Sequence, residues 1–437
     1  MDAVRTREIA APKGTAMKKL TLIAVGSRGD IQPIVALGRG LAQAGYAVRM
    51  VTLEDFAPLV RAQGLDFYPI PGDAQALTGQ MMAGQMRGRG LNLLVMYRGI
   101  MRTFGAITRS YAEAFAADSL RDSDAVLSQL PGGFYGYDLA EALGVPYVAL
   151  SVIPQEVTGA WPLALLPGTF TLGPVYNRLT YALGQQLAWH PFRASINGFR
   201  ARLGLPPASF WWGNMRRMRR ERVPVIQGFS PQVIPPQPEW GAQVVTTGYW
   251  TLDESDWTPS AALVAFLESG PPPVFVGFGS MGVSDPARTT ALILDALKQS
   301  GQRGILHAGW AQLGASDLPD SVIALDYAPY AWLFPRMAAV IHHGGSGTTG
   351  LALRSGVPSL VIPFTGDQPF WGKRTHDLGV GPAAIPFARL TADRLAAAIR
   401  TMTSDVGMQA RAAALREGLA SEDGIARAVE VIRALLA

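Results

Sequence analysis

One stretch of this chain gathers the residue types that do chemistry: Ile341-His342-His343-Gly344-Gly345-Ser346-Gly347-Thr348-Thr349-Gly350, followed 17 residues later by Asp367-Gln368. The apolar run Met337 to Ile341 predicts a buried strand, and Thr348 to Ser355 a short helix closed by Gly356 and Pro358. The glycine-rich turn between them aims unpaired amides at whatever lies at the helix N-terminus. Free N–H groups and the helix dipole both favour an anion there, so the turn suits phosphate. Two histidines at the strand end, and an acid–amide pair after the next strand, narrow the ligand to a sugar diphosphate. Phosphate would sit on the turn, and sugar hydroxyls on Asp367 and Gln368.

The same block also matches GxGxxG with an acid 17 residues on, the fingerprint of a dinucleotide site. Two features weigh against that reading: nicotinamide binding does not need the histidines, and Asp367 sits in a loop, Pro363 to Phe370. A purely structural glycine turn is the third reading. Adjacent histidines on a strand point in opposite directions, so His342 and His343 share a metal ion poorly. His342 is the better candidate for phosphate and His343 for the core. Asp122-Ser123-Asp124 matches the DxD of metal–nucleotide sites, but just before a strand it reads as an exposed turn.

A second candidate lies at Gly26-Ser27-Arg28-Gly29-Asp30. Asp30 at a helix start, with Pro33 close behind, fits a helix cap as well as a general base at a cleft mouth. A carboxylate positioned to take the proton of an attacking alcohol contributes about 10²–10⁴-fold to rate. Arg28 fits a hold on Asp30, a phosphate contact or a plain surface residue.

These residues need two scaffolds. Leu20 to Val25, the amphipathic helix through Ile31, Ile34, Val35, Leu37 and Leu41, and the strand Ala47 to Thr52 form a β-loop-α-β unit opening a parallel sheet. Ala125 to Ser128 and Tyr147 to Val152 add buried strands. The methionine-rich residues 74–115 and the proline- and tryptophan-rich residues 154–215 read as helical insertions. After Pro231 to Gly241 the pattern restarts, with strands at Val274 to Gly277, Gly304 to His307, Val322 to Leu325, Met337 to Ile341 and Ser359 to Ile362. The expected fold is α/β: two facing, Rossmann-like, doubly wound domains with a ligand cleft between their strand C-terminal edges. The expected divisions are a disordered leader at 1–17, an N-terminal acceptor-binding domain at 18–230, and a linker at 231–250. A C-terminal nucleotide-sugar domain at 251–420 and a terminal helix at 421–437, packing back on the first domain, complete them.

Composition narrows the class. The chain has 437 residues, 49% of them hydrophobic, enough for two cores. Without cysteine there is no disulfide or thiolate chemistry. A net charge of +5 argues for no nucleic-acid partner. The N-terminus lacks the apolar core of a secretory signal, and no apolar run reaches membrane-spanning length. A cytoplasmic protein is expected, with peripheral membrane contact through Trp211 to Arg222, where a Trp-Trp pair meets a basic run. Methionines between 81 and 101 suit ordinary core or a pliable apolar pocket.

The chain resembles the GT-B glycosyltransferases of the UDP-glycosyltransferase superfamily, closest to the sterol glucosyltransferases, with macrolide and glycopeptide antibiotic glycosyltransferases as cousins. Gly26 to Pro33 (GSRGDIQP), His342 to Thr349 (HHGGSGTT) and Pro363 to Trp371 (PFTGDQPFW) carry the resemblance, which runs from about residue 18 to 430. It implies an inverting, metal-independent transfer of a hexose to an apolar acceptor, with UDP-glucose as co-substrate and no cofactor. His342, Gly344 and the amides of Ser346, Gly347 and Thr348 would hold the diphosphate. Ser280, beside Gly279, would touch it from the other side, and Tyr327 would stack on uracil. Asp367 and Gln368 would bind the hexose, and Asp30 would be the base, supported by Gly26, Ser27 and Arg28. Plant relatives carry a histidine near Asp30; this chain has none in its first 189 residues, so Asp30 acts alone or with a different partner. An NAD-dependent oxidoreductase and a non-catalytic sugar-nucleotide binder are the alternatives.

Overall fold

In a computed structural model of the chain, the residues described are 17–72, 120–130, 134–166, 169–211, 213–254, 256–314 and 317–437. The methionine run at 81–101, Trp212 and leader residues 1–16 lie outside them. The first sheet contains β1 (Lys19–Ile23), β2 (Ala47–Leu53), β3 (Asp66–Ile70), β4 (Ala125–Gln129), β5 (Tyr147–Ser151), β6 (Val225–Gln227) and β7 (Val244–Thr246). Its spatial order is β3-β2-β1-β4-β5-β6-β7, every pairing parallel. All residues of β4 and β5 are buried, as expected of strands covered by helices on both faces. Around this sheet run α1 (Arg28–Gln43), α2 (Ala57–Ala62), α3 (Phe134–Leu143), α4 (Pro174–Arg202) and α5 (Asn214–Arg220).

The second sheet contains β8 (Val274–Gly277), β9 (Gly304–His307), β10 (Val322–Leu325), β11 (Ala339–His342) and β12 (Ser359–Val361) in the parallel order β10-β9-β8-β11-β12. Its helices are α6 (Ala261–Glu268), α7 (Pro286–Ser300), α8 (Tyr330–Leu333), α9 (Ser346–Ser355), α10 (Gln368–Asp377), α11 (Ala392–Ser404) and α12 (Val406–Ala420). The last helix, α13 (Gly424–Leu436), buries Ala428, Val429, Ile432 and Leu436 in the core of the first domain. It approaches α1 at Gly40, where a Cβ would lie 2.3 Å from Ile425 Cγ2.

The segment read as a linker, 231–250, behaves differently. It supplies β7 to the first sheet, and Val233, Ile234 and Trp240 pack with Phe370 and Trp371 of the second domain. Three-residue strands such as β6 and β7 are too short for periodicity to show, and the prolines around them read as a connector for that reason.

Topology decides where a site can form. In each sheet the chain winds outward in both directions from one adjacent pair of strands: β1 and β4 in the first, β8 and β11 in the second. The crevice at such a switch point, beyond the strand C-termini, is left open by the diverging connections. Asp30 follows β1 and Gln129 ends β4; Gly279 and Ser280 follow β8, and His342 to Thr348 follow β11. Both candidate half-sites therefore lie at switch points.

Candidate active site

Asp30 sits at the third position of α1, and Ser27 is its N-cap. Asp30 Oδ2 accepts hydrogen bonds from the Ser27 amide (2.9 Å) and hydroxyl (3.1 Å), so Asp30 closes a capping box from within the helix instead of being the cap residue itself, which is Ser27. The box does not use the whole carboxylate. Among the described residues Oδ1 accepts only one long bond, 3.3 Å from Gln129 Nε2, and keeps a lone pair for a proton. Gln129 is itself oriented by the Val25 amide, which donates to its Oε1 at 3.3 Å. Burial pushes the Asp30 carboxyl above the usual range, while the Ser27 and Gln129 hydrogen bonds pull it down.

Gly26 makes room for this carboxylate. Its φ is +146°, and a Cβ there would lie 2.3 Å from Asp30 Oδ2. Gly26→Ala should therefore displace Asp30 and lower kcat about 10²-fold or more, with donor affinity nearly unchanged. Steady-state kinetics with donor titration check this; a full-rate alanine variant would contradict the geometry.

Across the cleft, Gly345 caps α9 without a side-chain bond, leaving the first-turn amides of Ser346, Gly347 and Thr348 without intrahelical acceptors. A Cβ on Gly347 would lie 3.8 Å from the Gly29 carbonyl oxygen, so the N-termini of α1 and α9 face each other. The Ser346 hydroxyl donates to the Val152 carbonyl of the first domain, which leaves only its amide for a ligand. Gly344 has φ +92°, and a Cβ would lie 2.4 Å from Val361 Cγ1, so only glycine fits.

Both histidines are buried, and burial holds both below the usual range, His342 to about 3 and His343 to about 4. The rings are neutral. His342 Nδ1 accepts from the Gly344 amide at 3.1 Å, which places the ring proton on Nε2, and Nε2 has no partner among the described residues. His343, expected in the core, packs on Gly279, where a Cβ would lie 2.9 Å from its Cε1. The turns after β8 and β11 thus touch through this ring. Ser280, next to Gly279, is half-buried.

Asp367 caps α10, and its Oδ2 accepts from Trp371 Nε1 at 2.7 Å. Burial raises its carboxyl to about 7, against the Trp371 bond, and the Asp30 charge adds to the rise. Because the folded pKa exceeds the ordinary 3.8, the folded state keeps this proton where the unfolded chain has lost it. Stability should fall as pH rises from 3.8 to about 7, with a limiting slope near ~1.4 kcal/mol per pH unit from this group. Asp367→Asn should remove that contribution; denaturation curves across the window, identical for both proteins, would contradict it.

Gln368 is less available than the sequence suggests. Its Oε1 accepts from the amides of Phe364 (2.7 Å) and Thr365 (3.1 Å), so the side chain clamps its own loop. Tyr327 is 41% exposed, but Arg28 lies 5.1 Å over its ring and donates to its hydroxyl at 3.3 Å. That hydroxyl donates to Glu254. Arg28 therefore bridges the domains through Tyr327 rather than holding Asp30. The Asp122-Ser123-Asp124 run lies at the opposite end of the sheet: Asp124 accepts from the Lys19 amide at 2.6 Å, and Asp122 pairs with Arg49 at 2.8 Å.

Sequence reasoning missed Gln129, Trp371 and Glu254. A glutamine ending the mostly apolar stretch Ala125 to Ser128 was the available signal for the first, and a tryptophan one helical turn beyond Asp367 for the second. Glu254 had no signal. The dinucleotide reading required an acid at a strand end; Asp367 instead caps a helix.

Residues 20–162 match the glycosyltransferase family 28 N-terminal domain, and residues 292–436 the erythromycin biosynthesis protein CIII-like, C-terminal domain. Sterol 3-beta-glucosyltransferase UGT80B1 of Arabidopsis thaliana is 35% identical over 423 residues, 94% of this chain and 67% of that protein. The chain belongs to the sterol 3-beta-glucosyltransferase family of GT-B glycosyltransferases. The sterol 3-beta-glucosyltransferase of Emericella nidulans is 36% identical over 95% of the chain, which spans only 30% of that longer protein. Among solved structures, the kitacinnamycin glycosyltransferase superposes with a TM-score of 0.71 at 19% identity, over 97% of this chain and 100% of that one. SsfS6 of Streptomyces sp. SF2575, complexed with thymidine diphosphate, gives 0.61 at 20% identity, over 95% and 99%. These two neighbours establish the shared fold.

Proposed function

We propose that the chain transfers glucose from UDP-glucose to the hydroxyl of a sterol or similarly apolar alcohol, with inversion at the anomeric carbon and Asp30 as general base. The observation that carries this is the opposition of the two helix N-termini, with the Asp30 carboxylate on one and unpaired amides on the other. The alcohol gives its proton to Asp30 Oδ1 as its oxygen bonds the anomeric carbon, and the bond to the diphosphate breaks. The departing charge meets the amides of Ser346, Gly347 and Thr348 and the Nε2–H of His342. Each such hydrogen bond to a charged group contributes about 1.5–3 kcal/mol, so several together serve without a metal ion. Asp367 faces the sugar hydroxyls, and Gln368 keeps its loop in place. A uracil on Tyr327 either uses the ring face away from Arg28 or displaces that side chain. Glucose and sterol are named in the relatives; the thymidine diphosphate of SsfS6 makes a thymidine-linked donor the competing reading.

Thermal melting with UDP, UDP-glucose, dTDP-glucose and NAD separates these. A ligand at about 100 times its Kd stabilises the folded state by about 2.7 kcal/mol. A shift with UDP and UDP-glucose, followed by glucosylation of a sterol in a mixed-micelle assay, is expected. A shift with NAD alone, or with dTDP-glucose alone, would overturn the donor assignment.

A further inference from the structure

The segment between Glu156 and Glu221 holds eight arginines and not one acidic residue. Within it, α4 turns one face to the core through Tyr181, Trp189, Ile196 and Phe199. The opposite face is unusual for a water-facing helix. Val175, Leu179, Leu183 and Leu187 recur every fourth residue and keep 71%, 61%, 60% and 54% of their surface exposed. This stripe runs about 18 Å along the helix. Phe170 and Leu172 extend it at one end, and Phe210 and Trp211 at the other, all exposed. Gln186 Nε2 holds the Trp211 carbonyl at 2.7 Å, and Trp211 packs edge-on to Phe210 with ring centroids 4.9 Å apart.

Charge stands at both ends of the stripe. Arg178 is exposed on it, 3.6 Å from Glu239, and Arg193 lies 4.3 Å over the Phe210 ring. Arg219 and Arg220 of the adjoining α5 are also exposed. Leucines in a row, tryptophan and phenylalanine at the end, and arginines in excess of the acid that faces them, Glu239 at Arg178, match the interfacial zone of an anionic bilayer. Leucines reach the acyl boundary, aromatic rings sit at headgroup depth, and guanidinium groups meet lipid phosphates.

We infer that the exposed face of α4, with Phe170, Leu172, Phe210 and Trp211, docks the protein on an anionic membrane surface. The basic run after Trp211 is then one edge of a wider surface whose centre is the leucine stripe. An apolar alcohol resident in that membrane would be met at the surface rather than drawn from water.

The test is co-sedimentation of the full chain with vesicles of phosphatidylcholine alone, and of phosphatidylcholine with about 30 mol% phosphatidylglycerol. The wild type should bind the anionic vesicles, and binding should weaken as NaCl is raised. Leu179→Glu with Leu183→Glu should lower partitioning on the order of 100-fold. The melting temperature and the shift produced by UDP should not change. Equal binding of variant and wild type, or a wild type that ignores both vesicle types, overturns the inference. Binding indifferent to lipid charge overturns the anionic assignment. A wild-type dimer that becomes monomeric in the variant, or a variant that melts lower, also overturns it, assigning the leucines to a protein contact. None of these readouts depends on sugar transfer, so failure here is distinguishable from failure of the donor reading.

Discussion

Asp30→Asn should lower kcat by about 10²–10⁴-fold while UDP-glucose affinity stays within a few-fold of wild type. Asparagine keeps the size of the side chain, and its carbonyl oxygen can still accept from the Ser27 amide, so α1 should remain capped. What disappears is the basic lone pair of Oδ1. The variant also removes a negative charge that raises Asp367, so the Asp367 carboxyl should titrate at lower pH than in the wild type. Kinetics, calorimetric donor titration and a melting curve on the same preparation separate these effects. Unchanged kcat would remove Asp30 from the chemistry and leave it in the capping box alone. Gln129 gives a subtler control: Gln129→Leu withdraws a hydrogen bond that lowers the Asp30 pKa. The ascending limb of the pH–rate profile, set by ionised Asp30, should move to higher pH; a limb that stays in place would deny Gln129 that positioning role.

Arg200→Met should destabilise the protein by about 3–5 kcal/mol. Arg200 is buried on α4, where it pairs with the fully buried Asp138 and, at 2.8 Å, with Glu141, both on α3; its Nε donates to the Pro206 carbonyl at 2.7 Å. Asn214 of α5 supplies the other hydrogen bond to Asp138, at 2.9 Å. This one guanidinium therefore ties α3, α4 and the loop before α5 together. Methionine fills similar volume but leaves Asp138, among the described residues, with Asn214 as its single neutral partner. Burial already pushes the Asp138 carboxyl up and the Arg200 bonds hold it down, so the variant should be worst at high pH, where Asp138 must ionise. Adding Asp138→Asn should recover part of the loss. Urea denaturation of the three proteins is the check; a single variant as stable as wild type would contradict this reading.

Where an element is a short apolar run set off by turns, sequence pattern and structure coincide. β8, β9 and β10 have the expected ends, Val274 to Gly277, Gly304 to His307 and Val322 to Leu325, although β10 buries only Val322 fully. β6 and β7 were hidden by brevity, and the connector reading of 231–250 failed because Trp240, Val233 and Ile234 are buried by the other domain, a long-range fact. The candidate site was legible in its glycines, for a physical reason: Gly26 and Gly344 stand where a Cβ would strike Asp30 or Val361. Side-chain allegiance was not legible. That the Ser346 hydroxyl serves the domain junction, Gln368 its own loop and Arg28 the Tyr327 ring depends on neighbours hundreds of residues apart or on local loop closure.

The most direct test of Asp30 as the base of a single displacement is the anomeric configuration of the product. The full chain is incubated with UDP-glucose, whose glucose is α-linked, and a sterol, and the glucoside is examined by proton NMR. A β-linked glucoside, formed by the wild type and lost in Asp30→Asn, is the expected result. An α-linked glucoside would contradict in-line attack by an alcohol deprotonated at Asp30, and so would a β-glucoside formed equally well by the variant.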